Sequence, residues 1–265
     1  MARDLLIEAG LPEGVFQVVL GEGPVVGPEL VKHADYVSFT GSTRTGREVA
    51  QGAAARLVGV SLELGGKNAM LVLDDADIEK AAAGAVRACF SSAGQLCISI
   101  ERLYVHESIA DASLSASPPA PRPCARQLPR LRRRDGSLVG ERQLKNVERH
   151  VREAVEKGAT VVAGGVARPD IGPFFFEPTI LDGVEGSMAV CEEETFGPVV
   201  SVYRFSSDDE AVERANATPY GLNSSVWTTD ARRGRDIAAR LRTGTVNVNE
   251  ATRPPTAASS PRWAA

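Results

Sequence analysis

The chain has 265 residues, of which 43% are hydrophobic and 24% are charged, with a formal net charge of -4 at pH 7. This length is enough for one large or two ordinary domains with hydrophobic cores. The small negative charge gives no electrostatic reason to expect nucleic acid or an acidic membrane surface as a partner. No apolar run reaches the roughly 18 residues that a membrane-spanning helix requires.

The amino-terminal segment and the cysteines bear on location. Residues 1–8 contain no apolar core of the kind found in secretory signals. The four cysteines are scattered and form no CxxC pair, at Cys89, Cys97, Cys124 and Cys191. In a reducing compartment such residues are expected to be free thiols. We therefore expect a cytoplasmic protein with neither a disulfide framework nor a metal site.

Strand-like and helix-like segments alternate in the first 64 residues. Their hydrophobic patterns predict strands at 15–20, 36–39 and 58–64, and helices at 25–33 and 43–55. Such alternation indicates a parallel sheet with helices on its faces.

The same alternation continues further along the chain. We predict strands at 69–73, 103–106, 160–163, 174–181, 199–205, 224–228 and 245–248, and helices at 78–90, 141–158, 208–217 and 232–241. Asp77 is a predicted N-cap and Gly158 a predicted helix end. The simplest description is α/β, with two units that meet near Gly65 and no internal repeat.

Two segments interrupt this pattern. Residues 113–137 contain five prolines and six arginines against one aspartate, and residues 251–265 contain three prolines, two arginines and no acid. Such compositions are typical of a flexible linker and a disordered tail. Two alternatives are a nucleic-acid or lipid contact through residues 130–134 and translation of both segments out of frame.

The segment FTGST joins a predicted strand to a predicted helix through a turn of small residues. Backbone N–H groups and the positive end of a helix could bind an anion there. Gly41 would let a phosphate approach, and the hydroxyl of Ser42 could donate to it. The alternative is that Ser42 or Thr43 only caps the helix.

The segment LELGGKN places a carboxylate, Glu63, at the end of a predicted strand. Gly65 and Gly66 follow it and permit close approach of the backbone to a ligand or to the next domain. The alternative for Glu63 is a structural ion pair with Lys67.

Two later segments are also candidates. Cys97 follows a Gly-Gln turn at a predicted helix end, which is a plausible position for a nucleophile. The alternative is an inert core thiol, which is the expectation for Cys89 and stays open for Cys191. The acids at 192–194 are typical of a solvated turn, and Phe196 in the Phe-Gly-Pro turn after them suits ring stacking.

Together these segments resemble the aldehyde dehydrogenase superfamily. The matching segments, in family order, are FTGSTRTG, LELGGKN, GQLCIS, EETFGPV, PYGLNSSVWTTD and GTVNVNE. The resemblance covers roughly residues 5–111 and 136–250. The sequence around Cys97 and through 137–179 looks like the bacterial succinate-semialdehyde dehydrogenase branch.

The resemblance implies a cofactor, NAD or NADP, and residues that hold it. Ser42 would contact the dinucleotide phosphates, Glu194 would bind the nicotinamide ribose, and Phe196 would brace the ring. The remaining positions that the resemblance places beside the cofactor are Gly41, Leu64 and Gly65.

The resemblance also implies the chemistry. Cys97 would attack an aldehyde to form a thiohemiacetal, and loss of hydride to the nicotinamide would leave a thioester. Glu63 would activate the water that hydrolyses the thioester, and the N–H of Cys97 would supply half of an oxyanion hole. Retention of Glu63 favours oxidation to the free acid over acyl transfer to coenzyme A.

The chain also departs from the family pattern. Family members are nearly twice as long, and the part expected before Met1 contains the first strands of the dinucleotide-binding sheet, the lysine that grips the adenine ribose and the asparagine that completes the oxyanion hole. Loss of one such donor costs about a hundredfold to a thousandfold in rate. Residues 112–136 stand where the family has an amphipathic helix. Residues 251–265 replace the segment that closes the substrate tunnel and supplies a subunit-contact strand.

From this we expect a remnant of a parallel dinucleotide-binding sheet at 1–64, a thiol-bearing α/β catalytic domain at 65–250, and an aberrant tail at 251–265. The expected family activity is NAD(P)-dependent oxidation of an aldehyde, with succinate semialdehyde as the expected substrate, and we predict weak or absent turnover. The alternative is a non-catalytic product of a decayed gene that at most associates with a full-length relative. The homo-oligomeric state of the family does not carry over, because the contact strand is replaced.

Overall fold

The computed structural model describes residues 2–114 and 136–250. It divides into two compact units, one that ends at Leu64 and one that begins at Gly65. The proline-rich segments fall almost wholly outside the described residues. The predictions made for 112–136, including the arginine cluster at 130–134, and for 251–265 therefore stay predictions.

The first unit contains three helices and a parallel pair of strands among its described residues. In chain order these are α1 (Ala2–Glu8), α2 (Gly23–His33), β1 (Tyr36–Gly41), α3 (Thr43–Ala54) and β2 (Gly59–Leu64). Tyr36 lies opposite Gly59 at one end of the strand pair, and Gly41 lies opposite Leu64 at the other. The parallel arrangement predicted from the alternation is confirmed.

The predicted strand at 15–20 is wrong. This run is irregular, and its apolar side chains are largely in solvent, with Leu20 88% exposed. A β-branched run forms a strand only where a neighbour accepts its backbone hydrogen bonds. Among the described residues of this unit, β1 and β2 pair with each other and with nothing else. Helix α1, in contrast, was not predicted.

The second unit contains a seven-stranded sheet with helices on both faces. Its elements are β3 (Asn68–Val72), α4 (Ile78–Phe90), β4 (Ile100–His106), α5 (Glu107–Leu114), α6 (Glu141–Glu156), β5 (Thr160–Ala163), β6 (Thr179–Asp182), α7 (Ala189–Glu192), β7 (Val199–Phe205), α8 (Asp208–Asn216), β8 (Asn223–Trp227), α9 (Ala231–Ala238) and β9 (Thr245–Val248). The strand order is β5-β6-β7-β4-β3-β8-β9. Only the β5–β6 pair among these neighbours is antiparallel.

The sheet has an apolar core on each face. All five residues of β3 are buried, and they alternate between the two cores, with Ala69 and Leu71 in one and Met70 and Val72 in the other. A continuous apolar strand of this kind is typical of a parallel sheet covered on both faces. Helix α4 contributes small side chains to the second core, and α6, α8 and α9 contribute to the first. The α/β fold class is confirmed.

Most predicted boundaries agree with the structure. Asp77 caps α4 by accepting from the backbone N–H of Lys80 at 3.2 Å, and Gly158 ends the segment after α6 with a φ of +104°. The strand predicted at 174–181 is largely wrong. Only Thr179–Asp182 is a ladder strand, because Pro178 just before it has no N–H to donate. In the part of the chain that the structure describes, no helix is long and apolar enough to cross a membrane.

Candidate active site

Cys97 lies in the loop between α4 and β4, and it is half-buried. The chain leaves α4 through a 3-10 turn at Ser91–Gly94. Within that turn Ser92, Ala93 and Gly94 have φ values of +54°, +55° and +70°. Left-handed backbone costs a non-glycine residue about 1–3 kcal/mol, and such residues concentrate at functional sites. The strained turn therefore marks the approach to Cys97 as a candidate site.

Gly94 joins the Cys97 loop to a second predicted segment. A Cβ atom on Gly94 would lie 2.1 Å from the carbonyl oxygen of Gly197, so the two loops pack backbone against backbone. Only glycine satisfies both this contact and the positive φ. The structure thus brings the Cys97 loop and the Glu194–Gly197 segment together.

Glu194 is held against the glycine pair. Its Oε1 accepts from the N–H of Gly66 at 2.8 Å, and a Cβ on Gly65 would fall 2.0 Å from Oε2. Burial, and to a lesser extent the charge of Glu101, raises the pKa of Glu194 above its ordinary value, against the opposing effect of the Gly66 N–H. The interpretation of the acidic run as a solvated turn is therefore wrong for Glu194.

Phe196 has a φ of +49°, which is unusual for an aromatic residue. Its N–H donates to Oε1 of Glu101 at 2.9 Å, and its carbonyl accepts from Nε2 of Gln143 at 2.8 Å. Hydrogen bonds on both sides of the residue offset the backbone strain. The backbone conformation of Phe196 is therefore set by the surrounding structure and not by the local preference of the chain.

A buried ion pair supports this segment. Nζ of Lys67 lies 2.5 Å from Oε2 of Glu101, and the side chains are 1% and 4% exposed. Glu101 also accepts from the N–H of Thr195 at 2.9 Å. The structure thus gives Lys67 a partner different from the Glu63 that the sequence suggested. Sequence reasoning missed Glu101, and the only signal for it was an acid within the otherwise buried strand IERLYVH.

His150 supports the same segment from α6. It is fully buried, with Nδ1 at 3.0 Å from Oγ1 of Thr195 and Nε2 at 3.2 Å from Oε2 of Glu193. Glu193 also accepts from Arg149 at 2.6 Å. Burial lowers the pKa of His150, so the ring is neutral in the folded chain at neutral pH. Helical spacing is the only feature of the sequence that indicates this contact.

The candidate residues of the first unit cluster at the carboxyl ends of its two strands. Gly41 pairs with Leu64 and Thr40 with Glu63, and the side chain of Glu63 is exposed. Ser42 caps α3, because its hydroxyl accepts from the N–H of Thr45 at 3.3 Å. The capping role that the sequence offered for Ser42 is confirmed. Phosphate binding by the same residue stays a prediction.

This end of the first unit fits a dinucleotide phosphate. Ligands of α/β sheets bind beyond the carboxyl ends of parallel strands, and the amino end of a helix favours anions. Helix α3 has 12 residues and begins immediately after β1. Leu64 packs on Gly46 of that helix so closely that a Cβ there would lie 2.5 Å from its side chain. Glycine at 46 thus lets the helix and β2 approach.

Two cysteines do not take part in this arrangement. Cys89 is buried in the α4 core, as expected, and Cys191 is a half-buried free thiol on α7. Among residues 2–114 and 136–250 no group of three or more His, Cys, Asp or Glu side chains could hold a metal ion.

The model of the aldehyde dehydrogenase family matches residues 1–261. A Mycobacterium ulcerans protein named putative succinate-semialdehyde dehydrogenase (NADP+) 2 is 52% identical over 248 residues, which cover 93% of this chain and 48% of that protein. Betaine aldehyde dehydrogenase of Bacillus subtilis is 40% identical, with 93% of this chain and 51% of that protein covered.

Solved structures also match this chain. The crystal structure of betaine aldehyde dehydrogenase from Staphylococcus aureus in complex with NAD+ matches with a TM-score of 0.87 and 32% identity, over 97% of this chain and 52% of that one. An NADP-dependent enzyme of E. coli matches with a TM-score of 0.85 and 36% identity, over 95% of this chain and 53% of that one. The chain thus spans about half the length of the relatives it matches.

Proposed function

The chain belongs to the aldehyde dehydrogenase family, and we propose that it carries the nucleophile of an NAD(P)-dependent aldehyde oxidation. The observation that carries this proposal is the position of Cys97. Its half-buried thiol lies on a loop reached through a strained turn, and that loop packs directly on the segment that holds Glu194 and Phe196.

In this reaction the thiolate of Cys97 attacks the carbonyl carbon of the aldehyde and forms a C–S bond. The N–H of Cys97 stabilises the negative charge that develops on the oxygen. A bound NAD+ or NADP+ supplies the acceptor for the hydride. Loss of the hydride leaves a thioester on Cys97, and Glu63 takes a proton from the water that cleaves it. The products are the carboxylic acid, the regenerated thiolate, the reduced cofactor and one proton.

We assign the following residues to the cofactor. Gly41, Ser42 and Leu64 lie where a dinucleotide phosphate would meet the amino end of α3. Glu194 would accept hydrogen bonds from ribose hydroxyls, and Gly65 leaves room for its carboxylate. Phe196 would support the nicotinamide ring. The relatives include both NADP-named and NAD-complexed proteins, and the proposal covers both cofactors.

For the substrate we propose succinate semialdehyde, because the relatives that share 52% identity with this chain carry that name. We further propose a cytoplasmic location, which agrees with the scattered cysteines.

The test is formation of NADH or NADPH, followed at 340 nm, when the purified chain is mixed with succinate semialdehyde and either cofactor. We expect Cys97→Ser to abolish turnover and the matched variant Cys191→Ser to retain it. Equal turnover in the wild type and Cys97→Ser would contradict the proposal. No turnover in the wild type would favour the alternative of a non-catalytic product.

A further inference from the structure

We propose that Asn68 and Asn223 are positioning residues that fix the backbone of the nucleophile. The inference rests on the proposed role of Cys97. Nδ2 of Asn68 donates to the carbonyl oxygens of Cys97 at 2.8 Å and of Ser99 at 2.7 Å. Nδ2 of Asn223 donates to the carbonyl oxygen of Ile98 at 3.3 Å. Three consecutive carbonyls of the Cys97 loop are thus held by two side-chain amides.

Both asparagines are deeply buried and lie on the central sheet. Asn68 is 3% exposed and begins β3, and Asn223 is 2% exposed and begins the neighbouring β8. Oδ1 of Asn68 accepts from the N–H of Asn223 at 3.0 Å, so the two positions are also coupled to each other. Oδ1 of Asn223 accepts from Thr245 at 3.0 Å and from Asn247 at 3.3 Å on β9.

These partners determine the orientation of each amide. The NH2 group of Asn68 faces two carbonyl oxygens, and its oxygen faces an N–H. The reverse orientation would place two oxygen acceptors against the side-chain oxygen and an N–H donor against the NH2 group. Both of its donor hydrogens and its acceptor are therefore used. A buried amide that satisfies all its hydrogen bonds has a single position. The anchor of the Cys97 loop is accordingly rigid.

A held carbonyl also fixes the rest of its peptide group. The C=O and the following N–H of a trans peptide point in opposite directions within one plane. When the carbonyls of Cys97 and Ile98 are held, the planes on the carboxyl side of the nucleophile cannot rotate. Glycine at position 66 permits this close contact, because a Cβ there would lie 3.0 Å from the Cys97 carbonyl oxygen and 2.6 Å from Oδ1 of Asn68.

This arrangement serves the thiol more than the sheet. Covalent catalysis requires the reacting atom to be placed within a fraction of an ångström. The sheet could end at Asn68 and Asn223 with shorter polar or apolar side chains, whereas the loop would then lose these side-chain hydrogen bonds to its three carbonyls. The expected consequence of losing the donors is a slower chemical step with substrate binding preserved.

The experiment compares two Asn→Asp variants. Asn68→Asp keeps the size and one accepting oxygen of the side chain, replaces the donor group with a second oxygen, and adds a negative charge that the control variant also adds. Asn216→Asp is the matched control, since Asn216 likewise donates to the carbonyl of Arg240 at 3.0 Å and accepts from the N–H of Arg242 at 2.8 Å. For each variant, kcat and KM for succinate semialdehyde and hydrogen exchange of the peptide over residues 96–100 are measured.

We expect Asn68→Asp to lower kcat at least tenfold, to change KM less than twofold, and to speed exchange in residues 96–100, while Asn216→Asp does none of these. Wild-type kcat in Asn68→Asp would overturn the inference, even if exchange is faster, because the asparagine would then hold the loop without positioning the thiol. If Asn68→Asp does not fold, Asn223→Asp replaces it, with the same expected split between kcat and KM.

A wild-type chain without turnover would favour the non-catalytic alternative, and the inference would then be tested by a separate measurement. Carbamidomethylation of Cys97 by iodoacetamide is then followed by peptide mass spectrometry, with Cys191 measured in the same digest. A tenfold change at Cys97 in Asn68→Asp, with Cys191 unchanged and no change in Asn216→Asp, would support positioning of the thiol. An unchanged rate at Cys97 would overturn it.

Discussion

At the scale of single residues, Glu101 has three partners in the candidate site. Its carboxylate accepts from the ammonium of Lys67 and from the N–H groups of Thr195 and Phe196. One buried carboxylate thus balances a buried cation and also fixes the backbone that presents Phe196. Its loss would affect both the stability of the chain and the conformation of the Phe196 segment.

We expect Glu101→Gln to destabilise the chain by about 3–5 kcal/mol, because the ammonium of Lys67 stays buried without a counter-charge. Urea unfolding at pH 7.5 measures the loss. The matched control is the double variant Lys67→Met with Glu101→Gln, which removes the cation as well and should recover much of the stability. A single variant within about 0.5 kcal/mol of the wild type would show that the pair contributes little.

The candidate site residues were easier to predict from the sequence than the residues that hold them. Cys97, Glu194 and Phe196 each lie in a short segment whose neighbours, a glycine or a proline, made it stand out. The anchoring role of Asn68 could not be predicted, because its partners are backbone carbonyls 29 and 31 residues further along the chain. The amino-acid sequence does not show which backbone carbonyls need a side-chain hydrogen-bond donor.

At the scale of elements, α6 connects to the Thr195 segment through His150. The unfolded histidine takes up a proton near its ordinary pKa of 6.5, whereas burial keeps the folded ring neutral to lower pH. The unfolded state therefore binds more protons below pH 6.5, and stability falls as the pH decreases through that value. Above pH 6.5 the contribution of the neutral ring is fully present.

We expect the free energy of unfolding to fall below pH 6.5 by up to about 1.4 kcal/mol per pH unit from this group alone. His150→Gln should reduce the slope between pH 6.5 and 5, because glutamine takes up no proton. His33→Gln is the matched control, since His33 is exposed at the end of α2. Urea titrations at several pH values provide the comparison, and identical slopes in the wild type and His150→Gln would refute the assignment.

The sequence predicts an element well where a single residue determines the boundary of that element. The cap at Asp77 depends on the side chain of that residue, and the helix end at Gly158 depends on the backbone conformation of that residue. Both were predicted from the sequence. The run at 15–20 has strand propensity, but a strand also needs a partner, which depends on residues far away in the chain. Only the end of the predicted strand at 174–181 joins the sheet, because Pro178 has no N–H for a ladder hydrogen bond.

At the scale of the whole molecule, the two units differ in how much they bury. Three described residues up to Leu64 are buried, at Val31, Gly46 and Ala53, and the sheet there has two strands. In the second unit, β3 and β8 are buried at every position. Isolated two-stranded sheets are marginally stable, and local opening follows the density of buried contacts.

We therefore expect amide hydrogen exchange in β1 and β2 to be at least about 100-fold less protected than in β3 and β8. Mass spectrometry of peptides from one deuterated sample measures all four strands under the same conditions, so each strand serves as the reference for the others. Equal protection in the two sheets would show that the first unit is as stable as the second.

The position of β3 between β4 and β8 has a consequence for biosynthesis. Strand β4 follows β3 closely in the sequence, but β8 begins at Asn223, whose amide holds a carbonyl of the Cys97 loop 125 residues before it. A ribosome adds about 5–20 residues per second. The thiol is therefore made many seconds before the amide that restrains its loop. During that interval the loop of Cys97 lacks its hydrogen bond from Asn223. The loop can therefore reach its final conformation only after β8 has joined the sheet.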